Sequence, residues 1–444
     1  MQITVSKVKE VQWSSERAFV LATAAAAVGL GNIWRFPYLA GENGGAAFII
    51  AYIIAVLAVG IPLMIVEISA GRVKRGSPVK TFRGIHKGAA PFGWFVVGLT
   101  MLIMSYYLVV TGWTLGYALE SLTGSIRPFP EFINSYASLW YFGIVAVITG
   151  LIVARGVKII ELLSRVMMPL LLLVILFITG YSLTLPGTPA ALSFLFTPDF
   201  SSFLSPSLWV LAFGQAFYSL AVGQGYLVTY GSFLPNSINI PRAVGIVAIF
   251  ETSIALVAGL MIFPFVFTFG LNPGQGSELA FTTLPIAFAN IPYGSLFAIG
   301  FFWLFFLAAI SSCVAGMQVI KTAMREEMKL THKWATVASF LPILPLGVLA
   351  ALSFTPAKLT VLGRPVLEVL DMFAANQVVI ALGLIGGAII SRNIPTNLIL
   401  NTFGNKWRRY ASHTVFVAKY LWLIVLLLLL VSFALSPAAP AVSH

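Results

Sequence analysis

Cysteine is all but missing: Cys313 is the only one in 444 residues, so no disulfide can form within the chain and a thiolate zinc cluster is excluded. The four histidines stand at positions 86, 332, 413 and 444, without metal-ligand spacing. No phosphate-cradling glycine loop and no nucleophile–base constellation occurs, which leaves nucleotide hydrolysis and covalent catalysis without machinery. Charge is scarce as well. Only 9% of residues are charged, against 59% hydrophobic, and mean hydropathy is +0.96, far from the balance of a soluble domain. The opening residues 1–15 are polar, with Lys7, Lys9 and Glu10, and show no apolar core of a signal peptide. The expectation is an all-α polytopic membrane protein forming one transmembrane domain over 1–444, with any uphill work driven by an ion gradient.

What is abundant is long apolar runs. Eleven are near the length a bilayer demands, at about 18–39, 46–70, 93–122, 139–154, 161–185, 207–233, 242–271, 294–322, 335–353, 367–391 and 412–436. The net charge of +12 could suggest a nucleic-acid partner, but the basic residues occupy short alternate loops. Lys74, Arg75, Lys80, Arg83 and Lys87 follow span two; Arg155, Lys158 and Arg165 follow span four; Lys321, Arg325, Lys329 and Lys333 follow span eight; Arg392, Lys406, Arg408 and Arg409 follow span ten. The positive-inside rule places these loops and the N-terminus in the cytoplasm, and an odd number of spans leaves His444 outside.

Span one is interrupted at mid-depth. The segment Val28-Gly29-Leu30-Gly31-Asn32-Ile33-Trp34-Arg35-Phe36-Pro37 brings glycine, an amide, an arginine and proline where a helix should bond to itself. Backbone released in lipid is tolerable only inside protein or beside a watery cavity; freed carbonyls suit Na⁺, and the start of the next half-helix suits a carboxylate. Span six is broken in different wording, Gly214-Gln215-Ala216-Phe217-Tyr218-Ser219-Leu220-Ala221-Val222-Gly223-Gln224-Gly225. Two broken helices five spans apart point to inverted repeats, spans one to five (18–185) and six to ten (207–391), with span eleven (412–436) peripheral. Glu67, near one end of span two, either snorkels to the interface or accepts from amides freed by a break. In span three, Tyr106 and Tyr107 point about 100° apart on a helix, so one can face the interior.

The Gly29-to-Pro37 motif, the Glu42-Asn43-Gly44-Gly45 turn, Gly60-Ile61-Pro62 and the Gly223-Gln224-Gly225 break resemble the neurotransmitter:sodium symporters, whose fold is that of the bacterial leucine transporter. The resemblance runs from about Trp13 to span ten, and eleven spans resemble the shorter prokaryotic members. It implies two Na⁺ sites and no organic cofactor. The first would use Ala27, Asn32, Ser219 and, from span seven, Glu251; the second, Ala25, Val28, Ala308, Ser311 and Ser312. Oxygen ligands suit this hard cation, although serines in membrane helices commonly bond back to their own helix. Substrate would meet Ala27, Gly29, Gly31, Ile103, Tyr107, Tyr218, Ser219, Ala221, Gln224, Ser312 and Gly316. An external gate would pair Arg35 with Asp371, with Gln215 behind the pair and Tyr107 and Tyr218 forming an aromatic lid over the substrate. At the cytoplasmic gate Trp13 and Glu326 are in place, but Glu10 stands where an arginine is expected and Phe233 where a tyrosine is.

Gly29 replaces the aspartate of monoamine carriers, so the substrate must bring its own carboxylate. Glu251 occupies the place where chloride-dependent members have a neutral side chain and hold Cl⁻ with groups matching Tyr52, Gln215 and Ser219. The resemblance thus implies Na⁺-coupled, chloride-independent import of L-amino acids across a prokaryotic inner membrane. Alternatives are a proton-coupled, taurine- or amine-specific carrier of the same fold, or a channel or receptor built on the same helices.

Overall fold

The computed structural model describes residues 12–421 apart from 125, 277–278 and 396–403, together with 423, 425 and 427. Apolar runs without internal hydrogen-bond partners in lipid must close on themselves as helices, and they do. Among the described residues, eight helices are long and apolar enough to cross a bilayer, and the pair Glu16–Ala27 and Gly31–Glu42, bent by 46°, makes a ninth. Span six is the short pair Pro206–Ser219 and Tyr226–Ser232. About half of the run expected at 412–436, and Glu10, lie outside the described residues; the part that is described shows its helix starting earlier, at Gly404. The all-α expectation misses one small feature, a two-residue hairpin pairing Thr360–Val361 with Arg364–Pro365 ahead of span ten.

Spans two (Ala46–Lys74), three (Lys87–Thr123) and eight (Gly294–Glu327) lie against the broken helices and bring the buried side chains of Glu67, Thr100 and Ser312 to them. Close approach needs small residues where backbones meet. A Cβ on Gly71 of span two would strike the Val228 carbonyl, and one on Gly231 would lie 2.5 Å from the Ile68 carbonyl, so two glycines seat the second half of span six against span two. Four π-turns occur among the described residues, at Gly31–Arg35, Val56–Gly60, Phe373–Val378 and Val417–Leu421. Such turns lie disproportionately at functional sites. Span five, Val157–Ser182, runs continuously through Pro169.

Candidate functional site

Breaking a helix releases backbone groups, and in an interior every one needs a partner. At the first break, the Gly29 amide donates to Asn32 Oδ1 (3.3 Å), the Leu30 amide donates to the Tyr107 hydroxyl (2.9 Å), and the Gly31 carbonyl accepts from Gln215 Nε2 (2.8 Å). The carbonyls of Ala25 and Ala26 accept from the hydroxyls of Ser311 (2.8 Å) and Ser312 (3.1 Å). At the second break, the Gly223 amide donates to Glu67 Oε1 (2.9 Å), Gln224 Nε2 donates to the carbonyls of Phe217 (3.3 Å) and Tyr218 (3.0 Å), and Thr100 donates to the Gln224 carbonyl (2.6 Å). Glu67 is therefore buried and bonded to a freed amide and does not snorkel. Positive φ at Ala221 (58°), Gly223 (77°) and Gly225 (78°) turns the chain through this break. Alanine there is a strained choice held by its surroundings.

Two oxygen-rich clusters form around these breaks. In one, Asn32 Nδ2 donates to Glu251 Oε1 at 2.6 Å, and the Tyr52 hydroxyl reaches both carboxylate oxygens at 3.0 and 2.9 Å. Ser219 lies 3.4 Å from the same tyrosine hydroxyl. In the other, the Ser311 hydroxyl sits 2.8 Å from the carbonyls of both Ala25 and Ala308, so the bond back to its own helix and the contact across to span one occur together. Of the chloride-binding positions carried over from relatives, Tyr52 and Ser219 adjoin Glu251, whereas Gln215 turns to Arg35 (2.8 Å) and the Gly31 carbonyl.

Between the breaks lies a cavity of about 20 Å³, lined by Ala26, Ala27, Gly31, Ile103, Tyr107, Tyr218, Ser219, Ala221, Gln224, Tyr226 and Ser312. That is room for about one water, so the walls must part for any substrate. Two expected wall residues are displaced. A Cβ on Gly29 would strike Ser312 Oγ and the Tyr107 hydroxyl, and one on Gly316 would strike the Tyr226 hydroxyl and lie 2.5 Å from Met104 Sδ. Both glycines stand behind the wall. Tyr226 fills the room that Gly316 leaves, and a glycine in the sequence cannot announce which neighbour will do so.

Arg35 is fully buried and closes one side of the cavity, its guanidinium 5.1 Å over the Tyr218 ring. Its Nη1 donates to Gln215 Oε1 at 2.8 Å and its Nη2 to Asn376 Oδ1 at 2.6 Å, while Nε lies 3.5 Å from Asp371 Oδ2. The carboxylate in turn accepts from Tyr38 at 3.1 Å. Asn376 is absent from the sequence-based expectation for a physical reason. Residues five apart on an α-helix point about 140° apart, but the π-turn Phe373–Val378 bonds i to i+5 and returns Asn376 towards the face of Asp371.

On the opposite side Trp13 Nε1 donates to the Tyr230 carbonyl (3.0 Å), and its ring packs on Phe19, Tyr230 and Phe233. The phenylalanine at 233 serves as an apolar face for this plug. Glu326 is engaged elsewhere, accepting from the Ser77 amide at 2.8 Å and lying 3.9 Å from Lys80 Nζ; no hydrogen bond or ion pair joins it to Trp13 among the described residues. Beyond the plug, where the basic loops converge, a chamber of about 780 Å³ is lined by Arg75, Lys80, Arg155, Lys158, Lys321 and Arg325, with Glu326 as its carboxylate.

Broken helices that meet at a closed central cavity, with plugs on both sides and oxygen clusters beside it, define an ion-coupled secondary transporter of the leucine-transporter class. The sequence profile of the Sodium:neurotransmitter symporter family matches residues 10–139 and 133–440. The chain is 35% identical over 408 residues to the uncharacterized sodium-dependent transporter YhdH of Bacillus subtilis, covering 89% of each. It is 27% identical to the sodium- and chloride-dependent GABA transporter 2 of Rattus norvegicus, over 70% of this chain and 61% of that protein. The crystal structure of MhsT in complex with L-phenylalanine superposes with a TM-score of 0.89 at 33% identity, covering 95% of this chain and 99% of that one. The protein belongs to the sodium:neurotransmitter symporter family: it is a multi-pass membrane transporter that uses Na⁺.

Proposed function

We propose that the protein imports L-amino acids with two Na⁺ ions and without chloride, across the inner membrane of a prokaryote, its N-terminus cytoplasmic and its C-terminus outside. Repeats 18–185 and 207–391 rock about the central cavity. The first Na⁺ is held by Ala27, Asn32, Ser219 and Glu251 with the substrate carboxylate, and the second by Ala25, Val28, Ala308, Ser311 and Ser312. Arg35, Gln215, Asn376 and Asp371 close the outer side; Trp13 closes the inner side.

One observation carries the chloride part. Asn32, Tyr52 and Thr252 all aim donors at Glu251, at 2.6, 2.9 and 3.3 Å. Three donors around a fully buried carboxyl are what a resident anion requires. That charge balances the bound Na⁺ where relatives recruit Cl⁻. The amino-acid part is supported by Gly29, whose packing against Ser312 and Tyr107 leaves no room for an acid that would pair with an amine, and by the L-phenylalanine of MhsT. The test is uptake of a labelled amino-acid panel in proteoliposomes. Replacing Na⁺ with K⁺ abolishes uptake, and replacing chloride with gluconate leaves it intact; loss of uptake in gluconate refutes chloride independence.

A further inference from the structure

Beyond the general amino-acid reading, two polar residues of the cavity wall say which side chains it is built for. Gln224 and Tyr226 both line it, on either side of Gly225 at φ 78°. The Gln224 amide has a fixed orientation, because its Nε2 donates to the carbonyls of Phe217 and Tyr218 at 3.3 and 3.0 Å. Its Oε1 is left as the pole free to accept. The Tyr226 hydroxyl has no hydrogen-bond partner among the described residues and rests in the room opened by Gly316, beside Met104. Ile103, Ala26, Ala221 and the Tyr218 ring supply apolar wall around them.

The other polar groups on the cavity already have work. Ser312 donates to the Ala26 carbonyl, Ser219 adjoins Tyr52, and the Tyr107 hydroxyl accepts from the Leu30 amide at the break. The Tyr218 hydroxyl accepts from Tyr106 at 3.5 Å, so among the described residues Gln224 Oε1 and the Tyr226 hydroxyl are the side-chain oxygens of the cavity wall that lack such a partner. A desolvated acceptor left unpaired is costly, so an occupant that supplies a donor is favoured over an isostere that does not. A purely apolar ligand meets the walls equally well and strands both oxygens.

We propose that Gln224 and Tyr226 form a polar end to the side-chain pocket, selecting L-amino acids whose side chain carries a hydrogen-bond donor on an otherwise apolar body, such as a phenol or an indole. This rests on the amino-acid reading above. L-tyrosine and L-phenylalanine are the matched probes, since they differ by one hydroxyl.

The experiment is equilibrium binding of each labelled amino acid to the purified full-length protein in Na⁺, with the other proteinogenic amino acids as competitors. L-tyrosine is expected to bind about tenfold or more tightly than L-phenylalanine. In Tyr226→Phe, which keeps the ring and its packing, and in Gln224→Met, which keeps the length and removes the acceptor, the preference falls towards one. Equal or tighter binding of L-phenylalanine by the unmodified protein overturns the proposal without needing any variant. A tyrosine preference that survives both substitutions also overturns it. Binding confined to small aliphatic amino acids overturns it while the amino-acid reading stands; Na⁺-dependent binding of amines with none of amino acids overturns both.

Discussion

Arg35 offers the most quantitative handle on how the transporter closes. Its guanidinium is fully buried, and the two hydrogen bonds of good length go to neutral oxygens, Gln215 at 2.8 Å and Asn376 at 2.6 Å, while the Asp371 carboxylate stands off at 3.5 Å. Arg35 Nε and Asp371 Oδ1 have no hydrogen-bond partner among the described residues. Asn376→Ala removes an acceptor from a charged buried donor, a loss of roughly 1.5–3 kcal/mol, or about 10- to 150-fold in the balance between closed and open states. The penalty falls on the closed state alone, since in the open state water reaches the guanidinium. Labelled substrate bound in Na⁺ should accordingly leave Asn376→Ala about 10- to 150-fold faster on dilution, with folding and Na⁺ dependence retained. Asn376→Asp, which adds a second carboxylate to the same cation, should slow release below that of the parent. Release from Asn376→Ala within twofold of the parent refutes the assignment of Asn376 to the gate and returns it to Asp371 alone.

Glu251→Ser removes the resident anion: uptake should weaken at low Na⁺ and acquire a chloride requirement, and full activity in gluconate would contradict the role given to that carboxylate. Gly223→Ala forces a side chain into φ 77° with the Gly383 amide nitrogen 2.6 Å and the Val379 carbonyl 2.7 Å from its Cβ. This should cost at least about 2 kcal/mol and lower the thermal midpoint in detergent; an unchanged midpoint speaks against so close an approach of span ten to the second break. Gly29→Ala drives a methyl group into Ser312 and Tyr107 and should weaken substrate binding about tenfold or more while the protein elutes normally by size exclusion, whereas parental affinity would show that the wall yields there.

Much of the architecture is legible in the residues alone, because lipid permits so few solutions. Among the described residues, the first ten apolar runs become helices or helix pairs close to where their hydropathy puts them, and glycine with amide side chains marks both breaks. Polar residues whose partners are backbone groups, such as Glu67 with the Gly223 amide, are legible in kind: a carboxylate in a membrane needs donors, and a break releases them. What is hidden depends on departures from regular helical geometry. The π-turn at Phe373–Val378 changes which residues of span ten share a face and so conceals Asn376. Ala221 at φ 58° gives no sign in the sequence of the strain it carries. Gly316 misleads for a third reason, since a missing side chain shows where space exists but not that Tyr226 occupies it.

The chamber beyond Trp13 gathers six cationic side chains and one carboxylate, and low-dielectric walls focus such a field into the space they enclose. Salt screens it over about 8 Å at physiological strength, so its influence is confined to the mouth. Inside, mobile cations are depleted and anions enriched. A Na⁺ released towards this chamber would be expelled quickly, and one arriving from the same side would climb a barrier on its way in. A zwitterionic substrate, with no net charge, would be spared that repulsion, so the field would part it from the ion it travels with. None of this changes the direction in which the gradients drive the cycle, because a potential at the mouth alters an intermediate of the path and leaves its two end states as they were. It makes the order of departure a property of the doorway as well as of the binding sites, and high salt on that face should erase the ordering while leaving the equilibrium untouched.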